Sequence, residues 1–323
     1  MKKFLKLTMV LVLVFFSGVN VSAKSGDEAY SYLKLIDEKY QKRIAGSSME
    51  KDMANYISDE LVSFGYSTKK EDFSFTRGGK QVDSQNIVAI KKGKSTKQII
   101  VGAHYDSVGT NGVDDNGSGV SLTLESAKKL ANTNMDYTIV FVFFGSEEVG
   151  LQGSKAYVNA MSQNEIDNTI LMVNIDSVLS GTYPYIYGGE FKDNKIVDKW
   201  GVEQGMELSK ELGLDLRTND TKLNYHYPTP TTGNWSDHAS FKKVGIPHIY
   251  LEASNWEVLD DVNNPGEGSS GASESEIGAI MHVPSRDNLS FINQEFPGRA
   301  QSNLSTYSSF LINYLQRVSQ SGL

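Results

Sequence analysis

The sequence predicts an α/β fold: a single domain with a mainly parallel central sheet covered by helices on both faces. Two observations carry this expectation. Apolar runs such as residues 138–144 are too continuous to be strands with one face in water. These runs also alternate with segments of helical period, the pattern of strands joined by crossover helices. At 323 residues, 39% hydrophobic and 22% charged, the chain is long and apolar enough to bury a substantial core.

The chain opens with Lys2, Lys3 and Lys6, then an apolar stretch over residues 7–16, then Val21-Ser22-Ala23. This is the layout of a signal peptide with an A-x-A-like cleavage site, and the apolar stretch is too short to span a bilayer. Residues 24–323 are therefore expected to be exported, with no membrane attachment after cleavage. Loss of the three lysines would move the formal net charge from −8 to −11, the wrong sign for a general nucleic-acid binder. The chain has no cysteine, which excludes disulfides, thiolate metal sites and cysteine nucleophiles. Any metal must be held by His and carboxylates.

Residues 27–45 have helical character, with Tyr30, Leu33, Ile36 and Tyr40 on one stripe. A second helix follows Ser47-Ser48-Met49-Glu50, a capping-box sequence, and its stripe of Met53, Tyr56, Ile57 and Leu61 ends at Gly65. Strands are expected at 86–90, 98–103, 138–144, 169–175, 185–187 and 246–251. Helices are expected at 118–130, 197–212, 236–244 and, largely, 293–318. Residues 263–278, rich in Gly, Ser and Glu, read as a surface loop.

The chemistry collects where buried strands end. The run Ile99-Ile100-Val101-Gly102-Ala103 leads into His104-Tyr105-Asp106-Ser107. Residues 140–144 lead into Gly145-Ser146-Glu147-Glu148, and 171–175 lead into Asp176. Ligands of open α/β sheets bind beyond the carboxyl ends of the strands. Between the first two runs lies the acidic turn Gly112-Val113-Asp114-Asp115-Asn116-Gly117-Ser118-Gly119, and an isolated His282 comes much later. Singly, these acids read as turn or helix-dipole residues. Together they would crowd like charges on one sheet edge, which calls for neutralising cations. A His/Asp/Glu cluster without thiolates points to zinc or a similar divalent ion.

The order His104-x-Asp106-Ser107, Asp114-Asp115-Asn116-x-Ser118-Gly119, Glu147-Glu148-x-Gly150, Asn174-x-Asp176, Ser236-Asp237-His238 and His282-x-Pro284 resembles the M28 family of dinuclear zinc aminopeptidases. The resemblance runs from about Gly46 onward. Within the family, Leu223-Asn224-Tyr225-His226-Tyr227-Pro228, Leu251-Glu252-Ala253-Ser254-Asn255-Trp256 and Phe296-Pro297-Gly298-Arg299 look like the branch of the alkaline phosphatase isozyme conversion aminopeptidase, associated with removing basic N-terminal residues. The resemblance implies a zinc-exopeptidase fold of the phosphorylase/hydrolase-like kind and two Zn2+ ions. Asp115 would bridge them, with His104 and Asp176 on one ion and Glu148 and His282 on the other. Glu147 would be the general base. Asp106 would accept the far N–H of His104 and fix its tautomer. The family also tends to have a cis bond after the bridging Asp, here Asp115–Asn116. Met281 stands where some members have an oxyanion-stabilising Tyr, so either the metal ions carry that role alone or another donor enters, with Tyr225, Tyr227 and Tyr250 as candidates.

Peptide or protein N-termini are the expected substrate and a monomer the expected state. Glu252, Glu257, Asp260 and Asp261 form an acidic stretch suited to a basic first residue. His238 and His248 read as structural or pocket-lining. Within the fold, a metallo-carboxypeptidase, a one-zinc glutaminyl cyclase and a non-catalytic binding module stay open. A serine hydrolase lacks its Gly-x-Ser-x-Gly elbow. A nucleotide-binding reading of Lys92-Gly93-Lys94-Ser95 lacks the upstream glycine, Val88 standing there.

Overall fold

The computed structural model describes residues 25–219, 227–255 and 278–322. The expected signal peptide, Tyr225, His226, Trp256, Glu257, Asp260, Asp261 and nearly all of the Gly/Ser/Glu-rich segment lie outside the described residues.

In chain order, α1 (Asp27–Lys39) and α2 (Ser48–Ser63) precede β1 (Thr68–Arg77), β2 (Lys80–Lys91) and β3 (Gln98–His104). A π-helical turn (Val113–Ser118) leads into α3 (Gly119–Leu130), then β4 (Thr138–Phe144), α4 (Gln152–Ala160), α5 (Gln163–Asn168) and β5 (Thr169–Ile175). Then come β6 (Tyr183–Gly188), the small β7 (Glu190–Lys192) and β8 (Lys195–Val197), α6 (Trp200–Leu212), α7 (His238–Lys242) and β9 (His248–Ser254). Helices α8 (Leu289–Glu295) and α9 (Arg299–Ser319) close the described chain.

Seven strands form one sheet in the order β1-β2-β4-β3-β5-β9-β6. The four central strands β4, β3, β5 and β9 are parallel, while β1, β2 and β6 pair antiparallel at the two sides. The continuous apolar runs are explained by burial of both faces. Ile99, Val101, Ile139, Phe141, Phe143, Leu171 and Val173 pack with α1, α2, α3 and α9. Their neighbours Ile100, Val140, Val142, Phe144 and Met172 pack on the opposite face with Val158 of α4 and Phe241 of α7.

The differences from the sequence expectation are local. Strand β1 was not expected, because its polar sequence leaves it exposed or half-buried throughout. The predicted helix over 197–212 begins at Trp200, because β8 takes 195–197. The predicted helix over 293–318 is two helices, broken where Gly298 turns at φ +82°. The capping box at α2 is half formed: Ser47 Oγ accepts from the Glu50 N–H at 3.1 Å, but Glu50 turns away to the Gly46 N–H at 2.6 Å. Among the described residues, no helix is long and apolar enough to cross a membrane.

Candidate metal centre and active site

Strand register brings the chemistry to one edge. In the parallel pairs, His104 lies opposite Phe144, and Gly102 lies opposite Asn174. His104, the turn after Phe144 and Asp176 thus leave the sheet at one level. The π-helical turn folds Asp115 under them.

The sequence-identified acids and histidines meet in two groups, His104 with Asp115 and Asp176, and Asp115 with Glu148 and His282. His104 Nε2 lies 3.1 Å from Asp115 Oδ1 and 3.4 Å from Asp176 Oδ1. His282 Nε2 lies 2.9 Å from Asp115 Oδ2 and 3.0 Å from Glu148 Oε2. Asp115 therefore turns a different oxygen to each group. Glu147, His104, Asp115, Glu148, Asp176 and His282 all line one cleft of about 430 Å³, with Trp235, Tyr250, Glu252 and Met281 among its other walls. The Asp115–Asn116 peptide is cis.

The electrostatics are those of a site short of positive charge. Burial alone would raise the Asp115 carboxyl, but hydrogen bonds from His104 and His282 outweigh it and hold it below the usual range. Burial and the nearby Asp115 charge push Glu148 up to about 7. Hydrogen bonds to Asp115 and Glu148 push His282 up to about 11. Burial opposes charge on His104, yet Asp176 and Glu147 raise its pKa well above that of a free imidazole. Protons on the two imidazoles stand where cations would neutralise the carboxylates. Nitrogen and oxygen donors of this kind, converging in two sets with one shared carboxylate, fit a pair of zinc ions. His104 and Asp176 would hold one, Glu148 and His282 the other, and Asp115 both.

The model of peptidase family M28 matches residues 86–308, more than half of the chain. The chain belongs to peptidase family M28. It is similar to the alkaline phosphatase isozyme conversion protein of Escherichia coli K12, at 28% identity over 318 residues, covering 91% of each. Among solved structures it is similar to a zinc aminopeptidase from Bacillus subtilis (TM-score 0.69, 19% identity, 90% of this chain and 95% of that one). It is equally similar to an Acidobacteriales bacterium glutaminyl cyclase (TM-score 0.72, 17% identity, 93% and 97%). The zinc aminopeptidase fold seen in these neighbours is thus the fold of this M28 chain, and the M28 match makes it a hydrolase of the peptidase class.

Buried side chains around the M28 centre hold the ligand turns by their backbone. Asp287 Oδ1 accepts the Val113 and Asp114 N–H groups at 2.8 and 2.7 Å, ahead of Asp115. Asp114 turns away from the cleft to accept the Leu179 N–H at 3.0 Å and the Ser180 hydroxyl. Asn116 donates to Ile175 O at 2.8 Å, and Ser236 donates to Asp176 Oδ2 at 2.7 Å. The fully buried Arg43 guanidinium donates to the carbonyls of Tyr105, Asn111 and Gly112, tying the strand end of His104 to the turn of Asp115. Gly112 is required there: its φ is +63°, and a Cβ would stand 2.6 Å from Arg43 Nη2. Arg43 and Asp287 are marked by no local spacing in the sequence, because each serves a turn distant in the chain.

Asp106 stands beside the His104 nitrogen that the family resemblance assigns to it, its Oδ1 3.5 Å from His104 Nδ1, and helps to raise the His104 pKa. Its oxygens accept the Glu147 and Glu148 N–H groups at 2.8 and 3.2 Å. Glu147 itself is 8% exposed, and burial together with the Asp237 charge raises its pKa well above the ordinary value, against the pull of His104.

His238 and His248 stand apart from both ligand groups. They stack on each other at 4.8 Å, fully buried, and His238 Nε2 meets Gly233 O at 2.9 Å. Burial lowers His238 to about 4 and His248 well below its usual value. Both are therefore neutral in the folded chain. Their stabilising effect is complete above the unfolded imidazole pKa of about 6.5 and is lost as pH falls toward the folded value. The His238 shift alone corresponds to ~3 kcal/mol across that window. His238→Asn should therefore remove a pH-dependent part of the stability, read as the difference in thermal midpoint between parent and variant from pH 6.5 to 4; a difference that does not change with pH in a folded variant would contradict the assignment.

Proposed function

We propose that this M28 chain is an exported, two-zinc aminopeptidase that hydrolyses the first peptide bond of peptide or protein N-termini, acting as a monomer and preferring a basic first residue. The observation that carries the reading is the sharing of Asp115, by different oxygens, between two complete ligand groups on a cleft that also holds Glu147. When bound, the two ions supply Lewis acidity to the scissile carbonyl and acidify the attacking water. Glu147 takes the proton of that water and returns it to the leaving amine. Asp106 keeps the Glu147–Glu148 backbone in line with the ions' ligands. Export is supported by the basic, apolar and small-residue order of residues 1–23.

Glu252 supports the preference for a basic residue. It is 5% exposed, lines the same cleft, and accepts the Tyr187 hydroxyl at 3.0 Å. Burial pushes its pKa up to about 8, so a guanidinium or ammonium beside it gains by stabilising the ionised form. The test is kcat/KM on Arg, Lys and Leu nitroanilides and on the same residues with blocked N-termini. Free Arg and Lys substrates are expected to lead, and blocked ones to be inert. Glu252→Gln should lower the Arg-to-Leu ratio by ~10-fold, the scale of one charged hydrogen bond. Cleavage of blocked substrates would refute the aminopeptidase reading, and a ratio indifferent to Glu252→Gln would refute its role.

The fold is shared with glutaminyl cyclases. The complete His104–Asp115–Asp176 group favours two ions over the single zinc of a cyclase, and metal content with turnover of an N-terminal glutaminyl peptide separates the two.

A further inference from the structure

The turn that carries the base has an unusual set of partners. All four backbone N–H groups of Gly145-Ser146-Glu147-Glu148 are bonded to buried side chains from elsewhere in the chain. Gly145 N–H donates to Asn86 Oδ1 at 3.2 Å, Ser146 N–H to Glu50 Oε1 at 2.9 Å, and Glu147 and Glu148 to Asp106. Buried backbone donors are mostly satisfied by other backbone groups. Here three side chains from three segments determine the path of the turn.

Ser146 is the strained member. Its φ is +55°, the left-handed region, which costs a residue with a Cβ. It lies directly before Glu147. Both of its donors, N–H at 2.9 Å and Oγ at 2.8 Å, go to the same oxygen of Glu50. Glu50 is 2% exposed and also receives the Ser84 hydroxyl at 2.9 Å and the Gly46 N–H at 2.6 Å. A buried carboxylate is costly unless fully hydrogen-bonded, and three of these four bonds tie α2 to β2 and to the turn of the base. The turn also has no room to shift toward β2, since a Cβ on Gly145 would meet Ser84 Oγ at 2.4 Å and Gln85 O at 2.6 Å.

We propose that Glu50 is a positioning residue for the general base: by holding Ser146 left-handed, it fixes the direction in which Glu147 leaves the end of β4. The proposal rests on the reading of Glu147 as that base. Glu50 precedes the residues matched by the family model, which begin at 86. Without its two bonds, Ser146 relaxes toward negative φ and Glu147 swings with it. A base must lie within hydrogen-bond reach of the proton it takes. Trp235, Tyr250 and Glu252 of the cleft lie outside this turn, and zinc content measured on each variant reports on Glu148, so with the metal retained the loss falls on kcat.

The experiment uses the full zinc-loaded chain and an aminoacyl-nitroanilide, comparing Glu50→Gln, Ser146→Gly, the double variant and Glu147→Ala. Glu50→Gln is expected to lower kcat by ~10-fold or more with KM within ~2-fold. Glycine takes positive φ without penalty, so adding Ser146→Gly should recover at least ~3-fold of kcat. The thermal midpoint, lowered by loss of Glu50, should not recover with it, which separates positioning from general stability. As a readout independent of turnover, backbone amide exchange over residues 145–151 should quicken in Glu50→Gln. Should Glu50→Gln fail to fold, Ser146→Ala removes one bond to Glu50 and leaves the buried carboxyl in place; a ~3-fold lower kcat is expected. Unchanged kcat in folded Glu50→Gln, no recovery in the double variant, or unchanged exchange would each overturn the proposal. Full activity in Glu147→Ala would instead remove the base, while the exchange result would still report whether Glu50 holds the turn.

Discussion

Glu147→Ala is expected to lower kcat by ~1,000-fold, within the span that general acid–base groups contribute, while KM and zinc content stay near those of the parent protein. The separation between Glu147 and Glu148 is what makes this expectation sharp. The two are adjacent in sequence and follow the same strand, yet only Glu148 belongs to a ligand group. Both side chains line the cleft, so Glu147 has the access a base needs without a place among the ligands. Its surroundings suit the role. Burial and the Asp237 charge favour its protonated form, and His104 favours the ionised one. A carboxyl whose proton affinity is raised in this way holds the proton it takes better than a fully solvated glutamate does. Glu147→Gln is the stricter variant, since it keeps the shape and removes only the basicity. Steady-state kinetics with metal analysis on both variants check the claim. Parent-level kcat in either would mean that the proton goes elsewhere, and loss of zinc alongside activity would mean that Glu147 is a ligand.

The parallel centre of the fold was legible because burial of both faces leaves a plain signature. Residues 138–144 and 169–175 have the boundaries expected of them. The candidate site was marked for a related reason: His104, Glu147, Glu148 and Asp176 follow apolar runs and Asp115 lies in a glycine-flanked turn, so strand ends and candidate ligands stand out together. What was hidden depends on contacts far apart in the chain. Strand β1 is held by pairing with β2 over its whole length, and its own sequence carries little apolar signal. Glu50 has the sequence of a helix cap, and only the fold reveals that its carboxylate reaches Ser146. Asp114 and Asp115 are indistinguishable as neighbours in a string. The π-helical turn sends the first toward Leu179 and Ser180 and the second toward both histidines. His282, isolated in sequence, reaches Asp115 and Glu148 from a segment with no regular structure, so no periodicity could have set its partner.

Asp115→Asn should be the most damaging single substitution in the centre. The aspartate offers two equivalent oxygens, and the two ligand groups use one each. Asparagine keeps one oxygen and replaces the other by an NH2 group, a donor that cannot bind a cation. One group then loses its shared ligand outright, and the bound zinc should fall from two per chain to one or fewer. The second consequence is electrostatic. In the metal-free chain the imidazoles of His104 and His282 both lean on the Asp115 charge, and hydrogen bonds from them hold its carboxyl below the usual range. Removing that charge weakens both histidine positions at once, so neither ligand group survives unchanged. Lewis-acid assistance is worth several kcal/mol of barrier, so activity should drop by ~1,000-fold or more. Chelation of the parent protein should give the same loss, reversed by added zinc, whereas added zinc should not restore Asp115→Asn. The thermal midpoint should follow metal content, because an ion that binds only the folded chain at 100 times its Kd adds about 2.7 kcal/mol. Zinc stoichiometry, activity and thermal midpoint measured on the same samples test the whole argument. A variant that keeps two ions and full turnover would show that Asp115 does not join them.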